Sequence, residues 1–331
     1  MFKLIVPFII RLLVSLSLLT LGACSSGNKE KIEDGIDSAL YYLSLPTPNC
    51  QKAIEELEKI GRQTTNALYL RTLASAYACR GSYGELIFFG DIGNISSNVS
   101  SFFGSLTTLG LAVQTAPEPD SFLDVQRALD VLLYAGGQTT PSYTNLVTIF
   151  GQRQANNLSM QTLFMLLTQL GRFNYYYGNV NASGQKGLGG GSNNCFYPYP
   201  GLIQTTIADS ADTGGRCNSS NSPVGHPQLN IATPGLTNAI INRRLCYGVV
   251  IVNNLINILT NIEFSNNDAL GAIVDLKDTL DTVLSQAQSI PDPDFQAFLE
   301  VRSQSQCETI LNADNEVGQY YFASVFEGGL L

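Results

Sequence analysis

The residue best suited to acid–base chemistry near neutral pH is His226, the only histidine in the chain. It lies in the segment Val-Gly-His-Pro-Gln, so any Ser-His-Asp or Cys-His arrangement would depend on it. No Gly-x-Ser-x-Gly motif, the signature of a serine nucleophile on a strand-to-helix turn, accompanies it. We therefore expect His226 to be a surface loop residue, and we predict no catalytic residues and no enzymatic activity.

Other chemical motifs are equally weak. The glycine-rich segment 186–191 lacks the Gly-Lys-Ser/Thr order of a phosphate-binding loop, which favours a flexible connector. Asp209 with Asp212, and Asp292 with Asp294, lack the spacing of a calcium loop, so we expect solvated turn residues and helix caps. A single histidine and the lack of any Cys-x-x-Cys motif argue against zinc. We predict no metal and no cofactor.

The N-terminal segment has the layout of an export signal. Lys3 and Arg11 are the only charged residues in positions 1–23, and an apolar stretch runs from Leu12 to Leu21. This stretch is shorter than the roughly 20 apolar residues that a membrane span needs. We predict that residues 1–23 are a removed signal peptide.

The end of this segment, Leu21-Gly22-Ala23-Cys24, resembles the lipobox of bacterial lipoproteins. The resemblance implies diacylglyceryl modification of Cys24, cleavage before it, and acylation, for instance with palmitate, of the new amine. Several acyl chains anchor a protein stably where one does not. Ser25 then favours the outer membrane, with the protein facing the periplasm. An ordinary signal peptide with a chance cysteine is the alternative, and the position of the thiol at the cleavage site disfavours it.

The negative net charge of the chain limits the kinds of partner that it can bind. Cleavage would remove Lys3 and Arg11 and so change the formal net charge from −9 to −11. Nucleic-acid binding requires clustered basic residues, so we predict no nucleic-acid partner. Attachment to membrane lipid would depend on the acyl chains.

Six cysteines remain once Cys24 is assigned to lipid, namely Cys50, Cys79, Cys195, Cys217, Cys246 and Cys307. An even number in an oxidising compartment predicts three disulfides, and the sequence alone allows many pairings. Local arguments favour pairing in chain order. Two antiparallel helices would bring the first pair together, the second pair brackets a loop, and the third lies on two late helices.

The spacing of apolar residues is helical through most of the chain. We predict helices over 120–134, 159–176, 238–259 and 268–290, the last capped by Asn267 and ended by Pro291. The third segment is apolar on nearly every side, which predicts a buried central helix. Its asparagines would be costly in a membrane. The fold class we predict is all-α, an irregular or tetratricopeptide-like bundle or solenoid.

Residues 70–86 carry a second resemblance. Leu73, Ala74, Tyr77, Gly81 and Tyr83 fall at the spacing of the tetratricopeptide signature. A preceding helix pair over 34–45 and 50–60 extends the resemblance to about residues 34–95. One such unit is weak evidence for an array, and an irregular helical domain is an equal alternative.

Residues 179–230 are rich in glycine, asparagine, serine and proline, and predict a long loop tied by a Cys195–Cys217 disulfide. We place this insertion within a single helical domain over 34–331, which follows a lipidated tether over 24–33. Phe196, Tyr197 and Tyr199 could form an exposed contact, although rings that only hold the loop against the helices are the favoured alternative. Tyr77 and Tyr83 are further candidate binding residues.

These observations predict a membrane-anchored, non-catalytic scaffold that binds an envelope protein or peptide. The alternative is an accessory protein of a solute transport system, with a small-molecule pocket between helices. A deep apolar pocket with converging polar groups would favour the alternative, and an open groove with exposed tyrosines would favour the scaffold.

Overall fold

The structure is a computed structural model that describes residues 28–96, 102–187, 195–199, 217, 225–262, 277–278, 281–282, 285, 288 and 290–327. Its helices are α1 (28–44), α2 (Cys50–Lys59), α3 (Ala67–Arg80), α4 (Glu85–Asp91), α5 (Phe102–Ser105), α6 (Asp120–Leu133), α7 (Tyr143–Phe150), α8 (Gln152–Tyr177), α9 (Asn238–Asn261), α10 (Pro293–Phe298), α11 (Gln304–Ala313) and α12 (Glu316–Tyr321), which continues as a π-helical turn over Phe322–Glu327. These residues contain no strand beyond the isolated bridge between Val180 and Lys186. The predicted all-α class is confirmed.

Helix positions follow the apolar spacing closely in two places and less closely in others. α6 and α9 begin at the predicted residues. α8 begins earlier than predicted because Gly151, with a φ of 76°, is where the chain ends α7 and enters α8. The described part of α1 includes residues 28–33, which we predicted as tether. The predicted helix over 268–290 and its cap lie mostly outside the described residues, and its described positions 277–278, 281–282, 285 and 288 are helical.

The first three helices form antiparallel neighbours. The Asn49 side chain accepts a hydrogen bond from Lys52 N at the start of α2, and Asn66 accepts one from Tyr69 N at the start of α3. α3 then runs antiparallel to α6. A Cβ at Gly81 would lie 2.7 Å from Ser121 O, so only glycine allows this close approach. That these helices belong to a tetratricopeptide array stays a prediction.

α8 is the central element. Its side chains are buried over most of its length, and α5, α6, α7 and α9 all pack against it. α6 and α9 therefore flank α8 on neighbouring sides, which leaves a groove between them. The buried apolar side chains form a cluster that extends from Ile36 to Phe326.

α9 is buried as predicted, and the amide groups of two of its asparagines donate hydrogen bonds to backbone carbonyls. Asn253 Nδ2 donates to the carbonyls of Phe298 and Val301, and Asn254 Nδ2 donates to that of Arg302. Buried amides need such partners. In the part of the chain that the structure describes, no helix is both long and apolar enough to span a membrane.

All three disulfides predicted by chain order are present: Cys50–Cys79, Cys195–Cys217 and Cys246–Cys307. The first joins the start of α2 to the end of α3, and the third joins α9 to α11. The second ties together two parts of the predicted loop. The lipobox and Cys24 lie outside the described residues, so lipidation stays a prediction.

Candidate functional site

A groove between α6 and α9 is the candidate binding site among the described residues. It encloses about 240 Å³, and Leu166 of α8 contributes to its lining. The other apolar residues along it are Leu123, Leu129, Leu133, Val250 and Ile251. The polar residues are Gln126, Arg127, Asp130, Tyr134, Tyr247 and Gln304. An apolar surface with a few converging polar groups is typical of ligand sites.

Both tyrosines of the groove are held by neighbours. Tyr247 meets Phe122 edge to face, with ring centroids 5.5 Å apart, so it joins α9 to the start of α6. Tyr134 follows the end of α6, and its hydroxyl is hydrogen-bonded to the Ser303 side chain just before α11. Gln304 donates to the carbonyl of Arg243 and to the carboxylate of Glu308, each at 2.8 Å. The polar lining is thus preorganised by three helices.

Asp130 has an unusual environment in this groove. Its side chain keeps exposed surface, yet protein surrounds it in the concavity and hydration is incomplete. This desolvation raises the pKa of Asp130 from 3.8 to about 6, against a smaller opposing effect of the Arg62 guanidinium. Among the described residues, none forms a salt bridge with Asp130, although Arg62 lies near enough to influence it.

Two other carboxylates near the groove are neutralised by arginines. Asp124 accepts from Arg80 at 2.7 Å and from Arg127 at 2.6 Å, and these contacts hold the pKa of Asp124 below its usual value despite burial. Glu118 is paired with Arg243 at 2.9 Å and with Arg244 at 3.2 Å. Glu308, outside the lining, accepts a hydrogen bond from Gln304, so Asp130 is the carboxylate of the groove lining that remains available to an incoming group.

Sequence reasoning did not single out Asp130, Tyr134, Tyr247 or Gln304. The sequence contains a signal for Asp130 and Tyr134, namely helical spacing. One face of α6, beside the face that packs into the core, carries a residue of the groove every three or four positions: Leu123, Gln126, Asp130 and Tyr134. No local pattern indicates that Tyr247 and Gln304 face the same groove, since that depends on how α9 and α11 pack.

The candidate residues Tyr77 and Tyr83 lie away from the groove. Tyr77 is half-buried, and its hydroxyl donates to Glu58 Oε1 at 3.0 Å. Tyr83 is only 7% exposed, and burial raises the pKa of its hydroxyl well above the usual value. The structure therefore places both in helix packing.

The aromatic residues of the loop, Phe196, Tyr197 and Tyr199, are also buried or half-buried. Phe196 and Tyr199 are fully buried, and Tyr197 is half-buried. Phe196 contacts Phe173 of α8, Phe322 and Phe326. This arrangement matches the alternative in which the rings hold the loop against the helices.

His226 is not the surface residue that we expected. It is 5% exposed, and its ring lies against Tyr176 and Tyr177, with centroids 5.0 and 5.5 Å away. Its Nδ1 accepts a hydrogen bond from Gln228 N at 3.2 Å, and burial lowers the pKa of His226 to about 4. The prediction failed because the contacts that bury His226 come from α8, far away in sequence. Asp292, by contrast, caps α10 as expected.

Lys186 is a second correction. We expected it in a flexible connector, but its side chain is 2% exposed and its Nζ lies 3.1 Å from Glu327 Oε2. Glu327 Oε1 also accepts hydrogen bonds from Phe196 N at 2.8 Å and from Tyr199 at 3.1 Å. We call Lys186, Phe196, Tyr199 and Glu327 the loop cluster. Gly189, Gly190 and Gly191 of that segment lie outside the described residues, as do Asp209 and Asp212.

Cys195, Cys217 and Glu327 bring three potential metal-binding atoms within 4.8 Å of one another. The two sulfur atoms are bonded to each other, and thiolates rather than disulfide sulfurs bind metals. The disulfide therefore ties two parts of the loop to each other, and the Lys186–Glu327 ion pair ties the loop to the C-terminal turn.

Comparisons with models of protein families, with curated proteins and with solved structures found no match to this chain.

Proposed function

We propose that this protein is a lipid-anchored, periplasm-facing and non-catalytic binding protein of a bacterial envelope, and that the groove between α6 and α9 receives a segment of another envelope protein. The observation that carries the proposal is the groove itself. An apolar surface, two tyrosines, two glutamines and an available carboxylate converge there. This combination can bind a ligand without any nucleophile or base.

A second surface favours a protein partner. The short helix α4 presents Leu86, Ile87 and Phe89 to solvent, with Leu86 88% exposed. Neighbouring exposed apolar side chains of this kind are typical of protein contacts. The Cys24 anchor, which rests on the lipobox resemblance, would hold both surfaces near the membrane.

The test is site-specific photo-crosslinking in intact envelopes. A crosslinking residue at Gln126, which is half-buried in the groove, is compared with one at Arg153, which is exposed on α8 outside the groove. We expect Gln126 to capture a defined protein that Arg153 does not capture. Equal capture at both positions, or capture at neither, would contradict a protein-binding groove.

The second candidate is a small-molecule site, as in an accessory protein of a transport system. The volume of about 240 Å³ supports it, because a small organic molecule fits this space as well as one large side chain does. A small molecule that co-purifies with the chain, together with failure of the Gln126 crosslink, would support this candidate instead. Palmitate labelling of the natural chain and of Cys24→Ala tests the anchor independently.

A further inference from the structure

Charge complementarity in the groove indicates which chemical group it binds. Asp130 is a carboxylate without a salt-bridge partner among the described residues, whereas Asp124 and Glu118 are each paired with two arginines. A partly desolvated carboxylate gains most from an incoming positive charge, because the new partner replaces the hydration that it has lost.

The groups around Asp130 suit a cation that carries apolar atoms. The rings of Tyr134 and Tyr247 line the same groove, and aromatic faces attract ammonium and guanidinium groups. Leu129, Leu133 and Ile251 can cover the apolar part of such a ligand.

An anionic ligand is disfavoured by the same contacts. Arg127 is the cationic residue that lines the groove, and its guanidinium is already bound to Asp124 at 2.6 Å. Arg62 acts on Asp130 from outside the lining, and Glu118, Arg243 and Glu308 act on Tyr247. An anion would have to displace an existing ion pair and lie beside the Asp130 carboxylate.

We propose that the groove selects an organic cation, an ammonium or guanidinium group on an apolar carrier, which pairs with Asp130 beside the rings of Tyr134 and Tyr247. The inference rests on the proposed function and names the chemistry of the ligand. The cation has two possible sources, a lysine or arginine side chain of a protein segment and a free amine.

The test is a titration of the purified full chain with matched probes. Benzylammonium is compared with neutral benzyl alcohol and with benzoate, and acetyl-Leu-Lys-Leu-amide is compared with the same peptide carrying norleucine instead of lysine. We expect each cationic probe to bind at least about tenfold more tightly than its neutral counterpart, a difference of about 1.4 kcal/mol. Tighter binding of the lysine peptide would identify a protein source, and tighter binding of benzylammonium would identify a free amine.

Asp130→Asn should remove this preference and leave binding of the neutral probes unchanged. The control is Asp37→Asn, since Asp37 is an exposed residue of α1 away from the groove. Binding of benzylammonium should also lower the pKa of the Asp130 carboxyl, which NMR can follow near pH 6. Equal binding of cationic and neutral probes, tighter binding of benzoate, or no effect of Asp130→Asn would overturn the inference.

The two proposals can fail separately. If the Gln126 crosslink captures a protein equally well in the natural chain and in Asp130→Asn, the groove binds a protein but the cation inference is wrong. If the Gln126 crosslink captures nothing and no probe binds, the groove is not a binding site and both proposals fail.

Discussion

The loop cluster and the groove each place a carboxylate near aromatic rings, but the two carboxylates differ in how their charge is balanced. Glu327 is buried, and a lysine, a tyrosine hydroxyl and a backbone amide surround it. Asp130 keeps exposed surface, and no described residue forms a salt bridge with it. A fully paired and buried charge holds elements together, whereas an available charge in a concave surface is suited to binding.

The free-energy consequences differ accordingly. Lys186 and Glu327 have both lost their hydration, so each depends on the other. Lys186 also lies 4.3 Å above the Phe196 ring and donates to the Gly178 carbonyl, contacts that do not replace a negative charge. Asp130 has lost part of its hydration, and no salt bridge with a described residue compensates for that loss. Changing each carboxylate to its amide should therefore have opposite effects on stability.

The largest expected effect is that of Glu327→Gln. The substitution keeps the size of the side chain but removes the carboxylate charge that pairs with the buried Lys186 ammonium. We expect a loss of about 3–5 kcal/mol in the free energy of unfolding, measured by urea denaturation at pH 7. The control is Glu33→Gln in the exposed Lys29–Glu33 pair, where we expect a change below about 0.5 kcal/mol.

A loss below about 1 kcal/mol for Glu327→Gln would mean that Lys186 finds water or another partner. The distinction between the two carboxylates would then disappear. Replacing both Lys186 and Glu327 by methionine tests whether the unbalanced charge causes the loss of stability. If it does, the variant without either charge should recover much of the lost stability.

The two regions also differ in what the sequence could predict. The disulfides and the helices α6 and α9 were predicted correctly because their signals are local: apolar spacing, caps, and cysteines at the ends of neighbouring elements. The expectations for Lys186 and His226 failed because their burial depends on Glu327, Tyr176 and Tyr177, which belong to other segments. Composition indicates a loop here but not the helices against which it packs.

The groove was missed for a related reason. Asp130 and Tyr134 belong to a face of α6 that carries both polar and apolar residues. The sequence of one helix does not indicate whether another helix covers that face. α8 holds α6 and α9 on neighbouring sides, so this face becomes the wall of a groove. Crossing geometry of that kind is a property of the packed molecule and has no local sequence signal.

A smaller effect is expected at His226 as pH falls. Burial lowers the pKa of His226 to about 4, compared with 6.5 in the unfolded chain. The unfolded chain takes up this proton below pH 6.5 and the folded chain does not, so stability is retained above pH 6.5 and lost between pH 6.5 and 4. The loss approaches about 3 kcal/mol at pH 4.

His226→Asn should make this part of the pH dependence disappear. Asparagine can accept the same type of hydrogen bond from Gln228 N as His226 Nδ1 does, but it does not titrate. Stability is measured by urea unfolding at pH 7.5, 5.5 and 4.5 for both chains. The variant should be less stable at pH 7.5, because it loses ring contacts with Tyr176 and Tyr177, and the difference should narrow with acidification. Parallel pH profiles would show that the pKa of His226 is the same in the folded and unfolded chains and would contradict this prediction.

The smallest expected effect, and the one of opposite sign, is that of Asp130→Asn on stability. The raised pKa of about 6 means that the charged carboxylate is disfavoured in the folded chain, a cost that is present above pH 6 and absent below the unfolded value of 3.8. The amide should therefore stabilise the fold at pH 8 and make no difference at pH 3.5. Solvent screening keeps the gain below about 1 kcal/mol, and urea unfolding at both pH values, with Asp37→Asn as control, measures it.

Destabilisation at pH 8 would mean that Asp130 is held by a favourable contact in the folded chain. The same chemical change, a carboxylate to an amide, should thus weaken the fold at Glu327 and strengthen it at Asp130, because only Glu327 has a buried partner.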